Sequence, residues 1–302
     1  MDESTTDHIR QHSTGIRPLY FGLLTGGVCL LFLLNLALGS VDIPLESIVQ
    51  ILMGGEVSDE AWKKIVINIR IPRAVTAILA GSALSVGGLQ MQTLFRNPLA
   101  GPSVLGITAG ASLGVAVVML AAGTITSIFA IQQLSALGSW VIVIAASLGS
   151  AAVLLLILLI SIKVRDNVTL LIIGLMIGNI TIALVSIWQY FSQPEQIQDY
   201  LIWTFGSLGG VPLNQLWILG AVALVGGSIA LVLSKPLNGL LLGENYARSM
   251  GLSVSSTRIW IIVSTSLLAG GITAFCGPIG FVGIAVPHLT RSLLGTNDHR
   301  VL

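Results

Sequence analysis

Residues 97–162 read NPLAGPSVLGITAGASLGVAVVMLAAGTITSIFAIQQLSALGSWVIVIAASLGSAAVLLLILLISI, sixty-six positions without one Asp, Glu, Lys or Arg. About twenty apolar residues cross a bilayer, so a run this long holds more than one crossing. Thr124, Thr126, Ser127, Gln132, Gln133 and Ser135 mark its middle as a connection. Working outward, further charge-free runs cover 18–41, 74–95, 167–194, 200–234 and 259–290. A charge at a helix centre costs roughly 2.5–3.5 kcal/mol in lipid, which is why such runs mark spans. The expected spans are 19–38, 74–94, 104–122, 140–162, 168–191, 212–234, 258–275 and 279–294, the last two divided at Gly277-Pro278. The fold class is therefore all-α, a polytopic helical membrane protein with about eight transmembrane helices.

Composition agrees. Of 302 residues, 54% are hydrophobic and only 9% charged. Soluble domains carry about 25% charged residues to face water. Twenty-seven charges with a net of +1 leave no basic surface for nucleic acid. Long unbroken apolar runs exclude an outer-membrane barrel, whose strands alternate. Cys29 and Cys276 both lie in apolar runs, so neither a disulfide nor a metal site is indicated. No cofactor motif is present.

Eight spans put both termini on one side. Residues 1–17 form a polar tail, expected on the cytoplasmic side, and 18–302 form the membrane domain. Ten Lys and Arg then lie inside (Arg10, Arg17, Arg96, Lys163, Arg165, Lys235, Arg248, Arg258, Arg291, Arg300). Lys63, Lys64, Arg70 and Arg73 lie outside, in one expected loop, which satisfies the positive-inside rule. A short interfacial helix is expected at 195–208. Leu79-Ala80-Gly81 recurs as Leu268-Ala269-Gly270, five crossings later, so the two copies run in opposite directions. That is the pattern of an inverted repeat, which implies ten spans.

Few residues carry chemistry. Gly110-Ala111-Ser112-Leu113-Gly114 fits the nucleophile-elbow pattern, and with His288 it defines an intramembrane serine protease alternative. The competing reading is a packing ridge: Gly106, Gly110 and Gly114 recur every four residues, as do Gly22/Gly26 and Gly174/Gly178. No Gly precedes a Lys, so no phosphate-binding loop exists. An ion-coupled secondary transporter, the second alternative, needs polar groups at mid-membrane. Asn35, Gln90, Gln92, Asn179 and Gln189 are the only candidates, and none is charged. Two polar regions remain, Arg70-Ile71-Pro72-Arg73 and the loop 235–258. Each reads equally as a docking surface or as an ordinary anchor or connector.

At these residues the chain resembles the FecCD family, membrane permease subunits of ATP-binding-cassette importers for iron–siderophores, haem and cobalamin. The resemblance rests on Arg70-Ile-Pro-Arg73, Ala80-Gly81-Ser-Ala-Leu, and Gln90-Met-Gln-Thr-Leu-Phe-Arg96-Asn97-Pro98-Leu99-Ala100 with Pro102 and Leu105-Gly106. It continues through Leu242-Gly243-Glu244, Ala247-Arg248, Gly251-Leu252, Gly280-Phe281-Val-Gly283, Pro287-His288 and Asp298-His299-Arg300. It implies ten helices in the fold of the cobalamin-importer permease, of which two would follow Leu302. It further implies a paired permease subunit, ATPase subunits inside and a substrate-binding protein outside, in a bacterial cytoplasmic membrane. ATP hydrolysis would fall to the separate ATPase, and this subunit is expected to be no enzyme. By the same resemblance, Arg70 and Arg73 dock the binding protein. Gly243, Glu244, Ala247, Arg248 and Gly251 form the ATPase coupling loop. Gly178 and Asn179 line the pathway, with Asn167 and Val168 at its inner gate.

Overall fold

Pro72, expected in the outer loop before the span at 74–94, sits inside a helix in the computed structural model. The described residues are 3–55, 57, 59–120, 135–164 and 166–302. The helices are α1 (Glu3–Ala37), α2 (Leu45–Leu52), α3 (Glu60–Ile65), α4 (Ile71–Phe95), α5 (Ile107–Met119), α6 (Ser135–Lys163) and α7 (Asn167–Phe191). Then follow α8 (Pro194–Thr204), α9 (Leu213–Val232), α10 (Ser234–Leu241), α11 (Glu244–Ser249), α12 (Val254–Cys276) and α13 (Val282–Leu294). No strand occurs among the described residues.

The expected outer loop is a helix. A π-turn over Val66–Arg70 joins α3 to α4 without a break. Pro72 has no N–H to give the preceding turn, and its ring crowds the carbonyl four residues back. One extra residue in that turn relieves the crowding. The wider turn also rotates Arg70 inward. Its guanidinium donates to the carbonyls of Leu36 (2.5 Å), Ala37 (2.9 Å) and Val41. The first two are unsatisfied carbonyls where α1 ends, the third lies in the turn beyond it, and a cation there also meets the negative end of the helix dipole. Gly39 makes the approach possible, since a Cβ on it would lie 2.7 Å from the guanidinium.

Among the described residues, six helices are long and apolar enough to cross a membrane: 19–37 of α1, 60–95, 139–163 of α6, α7, α9 and α12. The other two expected spans are 13 residues each, α5 and α13. At 1.5 Å per residue each reaches about 20 Å, short of a ~30 Å hydrocarbon core. The first fills space between α6, α7 and α12, and the second lies against α4. The Gly277-Pro278 division falls as the sequence indicated, with Gly277 at φ 73° ending α12. The interfacial helix is α8, opened by a reciprocal cap between Gln193 and Gln196. The connection expected at 124–133, and Arg165, lie outside the described residues.

Helices α4 and α12 form the centre and are the most buried of the six, whereas 19–37 of α1 is almost wholly exposed. They carry the two Leu-Ala-Gly copies, and Ala80, Leu268 and Ala269 meet in one cluster. Gly87 lies against Thr265 and Leu268, whereas Gln90 bonds Ser264 (3.1 Å) and Thr265 (2.8 Å), so the two helices run antiparallel. Glycine also sets the spacing of α4 from α13: a Cβ on Gly88 would sit 1.7 Å from the carbonyl oxygen of Gly283.

The glycine ridge of α5 packs as a ridge. A Cβ on Gly114 would lie 2.0 Å from the carbonyl of Ala145, and one on Gly149 of α6 would lie 2.0 Å from that of Gly110. Gly174 of α7 presses on the carbonyl of Val104 in the same way (2.6 Å). Gly22 and Gly26 do not belong with them, because nothing lies within 4 Å of either. Their spacing alone carried no packing contact.

This contrast is testable by thermal unfolding in detergent. Gly149→Ala forces two backbones apart and should cost at least about 2 kcal/mol. Gly81→Ala, in open space mid-helix, should instead stabilise by about 0.5–1 kcal/mol. Equal effects would show that glycine does not set the helix spacing.

Candidate functional site

Two glycines frame the loop between α9 and α12. Gly243 (φ 117°) turns the chain from α10 into α11, and Gly251 (φ 83°) turns it out again. Both conformations disfavour a side chain. The six-residue α11 is thereby held across the helix ends, and Glu244 on its first turn points into them.

Side chains from three elements, α7, α11 and α12, converge on that carboxylate. Asn167, opening α7, donates its Nδ2 to Glu244 (2.6 Å) and to the Leu94 carbonyl at the end of α4 (3.0 Å). Arg258, one turn into α12, lies 3.6 Å from Glu244 and donates to the Val164 carbonyl beyond α6 (3.0 Å). Arg248, one turn along α11, pairs with Glu244 at 3.0 Å. The two ion pairs differ in kind. Arg248 is half-exposed, where a pair is worth about 0–1 kcal/mol. Arg258 is buried, and losing its partner would leave a charge out of water. Arg96, in a left-handed conformation that ends α4, adds a bond to the Leu240 carbonyl (3.4 Å).

Several expected coupling residues therefore come together, in different roles. Glu244, Arg248 and Asn167 form one knot. Ala247 is fully buried within the cluster that contains Leu240 and Val254, so it supports the loop from beneath and offers nothing outward. The outward face of the loop is Leu242, Tyr246 and Met250, all more than half exposed. Sequence reading gave none of these three a role, although an apolar residue every four positions was visible. Val168 is exposed on the opposite side of the first turn of α7 from Asn167's contacts.

A second polar cluster braces the same end. His299 is buried with Nδ1 against the Asn238 Oδ1 (2.8 Å) and Nε2 against the Thr93 hydroxyl (2.8 Å). Asn238 in turn donates to Asp298 (2.6 Å). Burial, and after it the Arg291 charge, push the His299 pKa down to about 4. The imidazole therefore stays neutral near pH 7, held by neutral hydrogen bonds. At the mouth of α7, Asp166 caps the helix through the hydroxyl and N–H of Thr169 (2.7 Å each), which hold its carboxyl below the usual range.

Gly178 and Asn179 lie elsewhere, in a cavity of about 570 Å³ between α5, α7 and α8. Its walls alternate aliphatic residues with neutral polar ones such as Ser103, Thr108, Ser186 and Gln189, and no charged residue is among the described residues lining it. Asn167 begins the helix that carries this wall, eleven residues or about 16 Å from Gly178. One helix thus links the knot to the cavity. Ser112 lines the cavity too, but its hydroxyl donates to the Thr108 carbonyl (3.1 Å), and no histidine lies among the described lining residues. His288 is exposed on α13. The geometry gives the serine no base. Of the polar mid-membrane candidates, Gln90 is spent on Ser264 and Thr265, and Gln92 on Arg291 (2.6 Å).

At the opposite end Arg73, Lys63 and Lys64 are exposed, whereas Arg70 is buried against the end of α1. The expected pair of docking arginines is thus one exposed residue and one internal clamp.

Comparison with known proteins completes the picture. A solved structure described as an inward-facing conformation of a metal-chelate type ABC transporter superposes with a TM-score of 0.80, at 26% identity, over 94% of this chain and 84% of that one. The hemin transport system permease protein HmuU of Yersinia pestis is 34% identical over 278 residues, 91% of this chain and 80% of its own length. The vitamin B12 import system permease protein BtuC of Klebsiella pneumoniae is 36% identical over 236 residues, 78% and 67% of the respective chains. The model of the FecCD transport family matches residues 27–302. A transport permease rather than a protease or an ion-coupled carrier accounts for these likenesses and for the glycine-packed helices alike, and the chain belongs to the FecCD transport family.

Proposed function

We propose that this chain is the membrane subunit of a binding-protein-dependent ATP-binding-cassette importer in a bacterial cytoplasmic membrane. Its cargo is a large chelate of the haem, cobalamin or iron–siderophore class, a reading supported by relatives named for hemin, vitamin B12 and metal-chelate transport. The observation that carries this reading is the loop knot. An exposed apolar face on α11 is tied through Glu244 to α4, α7 and α12 at once. A separate ATPase subunit pressing on Leu242, Tyr246 and Met250 would move those helices together. The knot lies on the inner side, with the N-terminus, and Arg73 with its lysines lies on the outer side.

In the transport cycle, ATP binding closes the ATPase pair, and the loop turns that closure into rocking of two permease copies. Helix α7 carries the movement to the wall of the 570 Å³ cavity, which opens alternately outward and inward. The neutral walls suit brief passage of a bulky chelate, because a tight site would hold it. The binding protein supplies the selectivity. Uptake into vesicles should require ATP and the binding protein, and uptake driven by an ion gradient alone would contradict this reading.

Substitutions in the loop separate docking from transmission. Tyr246→Asp should abolish co-purification with the ATPase and leave membrane insertion intact. Glu244→Gln should retain the ATPase but lose at least about tenfold of transport-coupled hydrolysis. It should also lower stability by roughly 1–3 kcal/mol, because buried Arg258 loses its carboxylate. Arg248→Gln, at the exposed pair, should change stability by less than about 1 kcal/mol. Equal behaviour of the Glu244 and Arg248 variants would reduce the loop to a connector.

At the outer face the two arginines should separate as well. Arg73→Glu should weaken binding-protein association most at low salt, since exposed charges act by steering. Arg70→Met should leave that association unchanged and lower stability, by roughly 3 kcal/mol, through the uncapped end of α1. An Arg70 variant that folds normally but fails to dock would restore it to the docking surface.

A further inference from the structure

Helix α2 lies at the end of the bundle opposite the coupling loop, and its residues divide into three faces. Ile48 and Ile51 are buried, in one cluster with Leu36 of α1, Val66 of the π-turn and Ala74 of α4. Next around the helix come Leu45, Val49, Leu52 and the C-cap residue Met53, which are 65%, 51%, 45% and 83% exposed. Glu46 and Gln50 fill the remaining sector and are exposed as well. At 3.6 residues per turn these sets follow one another around the axis as protein-facing, apolar and polar. A helix between protein and water has no use for the middle sector. Four large apolar side chains side by side in the open mark a surface that something covers.

Position along the bundle says what covers it. The apolar span of α1 closes at Ala37, and α2 packs on the last turn of that span through Leu36. That span is almost wholly exposed, and Leu34, Leu38 and Val41 carry its bare surface to the end and past it. The apolar sector of α2 thus begins where the lipid face of α1 ends, at the depth where hydrocarbon gives way to headgroups. Helices that lie in this plane bury one apolar face in the acyl boundary and keep a polar face in water. The turn leading into α2 is also the one that Arg70 holds, through the carbonyls of Ala37 and Val41, so the helix is fixed to α4 at this depth.

We propose that α2 is an interfacial helix, with lipid acyl chains covering Leu45, Val49, Leu52 and Met53 and water meeting Glu46 and Gln50. Apolar contact holds it there. Its one charged residue is Glu46, which offers nothing to an anionic headgroup. Joined to the Arg70 clamp, α2 would set the height of this end of α1 and α4 in the bilayer. Only the membrane span of α1 is required, so the proposal stands or falls apart from the cargo and the ATPase.

The test puts a nitroxide on each open face of the full chain, with Cys29→Ser and Cys276→Ser, in nanodiscs of phosphatidylcholine with or without phosphatidylglycerol. One labelled site at a time is introduced, as Val49→Cys, Met53→Cys, Glu46→Cys or Gln50→Cys. Collisions with oxygen, which concentrates in lipid, are compared with collisions with a nickel chelate, which stays in water. Val49→Cys and Met53→Cys should favour oxygen several-fold, at a depth of about 5–10 Å. Glu46→Cys and Gln50→Cys should favour nickel, and phosphatidylglycerol should change neither result. Nickel preference at Val49 and Met53 would leave the face in water and overturn the proposal. Protection of both sites from both reagents would assign the face to a protein contact and overturn the lipid. Oxygen preference that needs phosphatidylglycerol would overturn apolar contact as what holds the helix. Unlabelled variants give a second reading: Val49→Asp should lower the unfolding midpoint in nanodiscs by several degrees and Gln50→Asp should not. Equal midpoints for the two would contradict a lipid-covered face.

Discussion

Where Gly88 meets Gly283 there is room for backbone and nothing else: a Cβ on Gly88 would overlap the facing carbonyl at 1.7 Å. Lipid is as apolar as leucine, so burying aliphatic surface does not drive helices together in a bilayer. Association must come from close contact and internal hydrogen bonds. The rest of the structure follows from that constraint. Helices α4 and α12 approach through Gly87 and the Gln90–Ser264–Thr265 bonds, α13 meets α4 at Gly88, and α5 locks to α6 through Gly110, Gly114 and Gly149. The short helix α5 fits between long ones because no bulk stands in its way. An exact spacing of this kind lets a push at one end of α7 reach the other end undamped.

Elements whose cause is local were legible in the sequence. The charge-free runs marked the long spans, Gly277-Pro278 marked a break, and the ridge at 106, 110 and 114 marked a packing face. What could not be read depends on partners far along the chain. The segment around Pro72 was expected as loop, because a proline continues a helix only where the turn before it widens. That widening turned Arg70 from an apparent surface charge into the clamp on α1. Arg258 was counted only as an inner charge, yet it is buried against Glu244 and the Val164 carbonyl. His299 was quoted only within the family pattern and is a buried brace. Gly22 and Gly26 show the converse: a motif with the right spacing and no neighbour.

The site was recoverable in outline and not in roles. The family pattern named Glu244, Ala247 and Arg248 together, but burial separates them. Ala247 supports, Glu244 joins and Arg248 flanks, while the outward contact falls to Tyr246 and its apolar neighbours. Asn167 gains most from the structure. It connects the loop to α4 and begins the helix whose other half walls the cavity. The knot and the cavity are thus two ends of one element, which would give the proposed rocking a physical carrier.

That carrier is the central claim, and labelling at Asn179 tests it. With Cys29 and Cys276 replaced by serine, Asn179→Cys in reconstituted vesicles would be exposed to a membrane-impermeant maleimide from the outer side. The account predicts a labelling rate that changes several-fold when the ATPase binds ATP, and that ceases to respond once Glu244→Gln is added. A rate at Asn179 that ignores nucleotide, or that still responds without the Glu244 carboxylate, would contradict it.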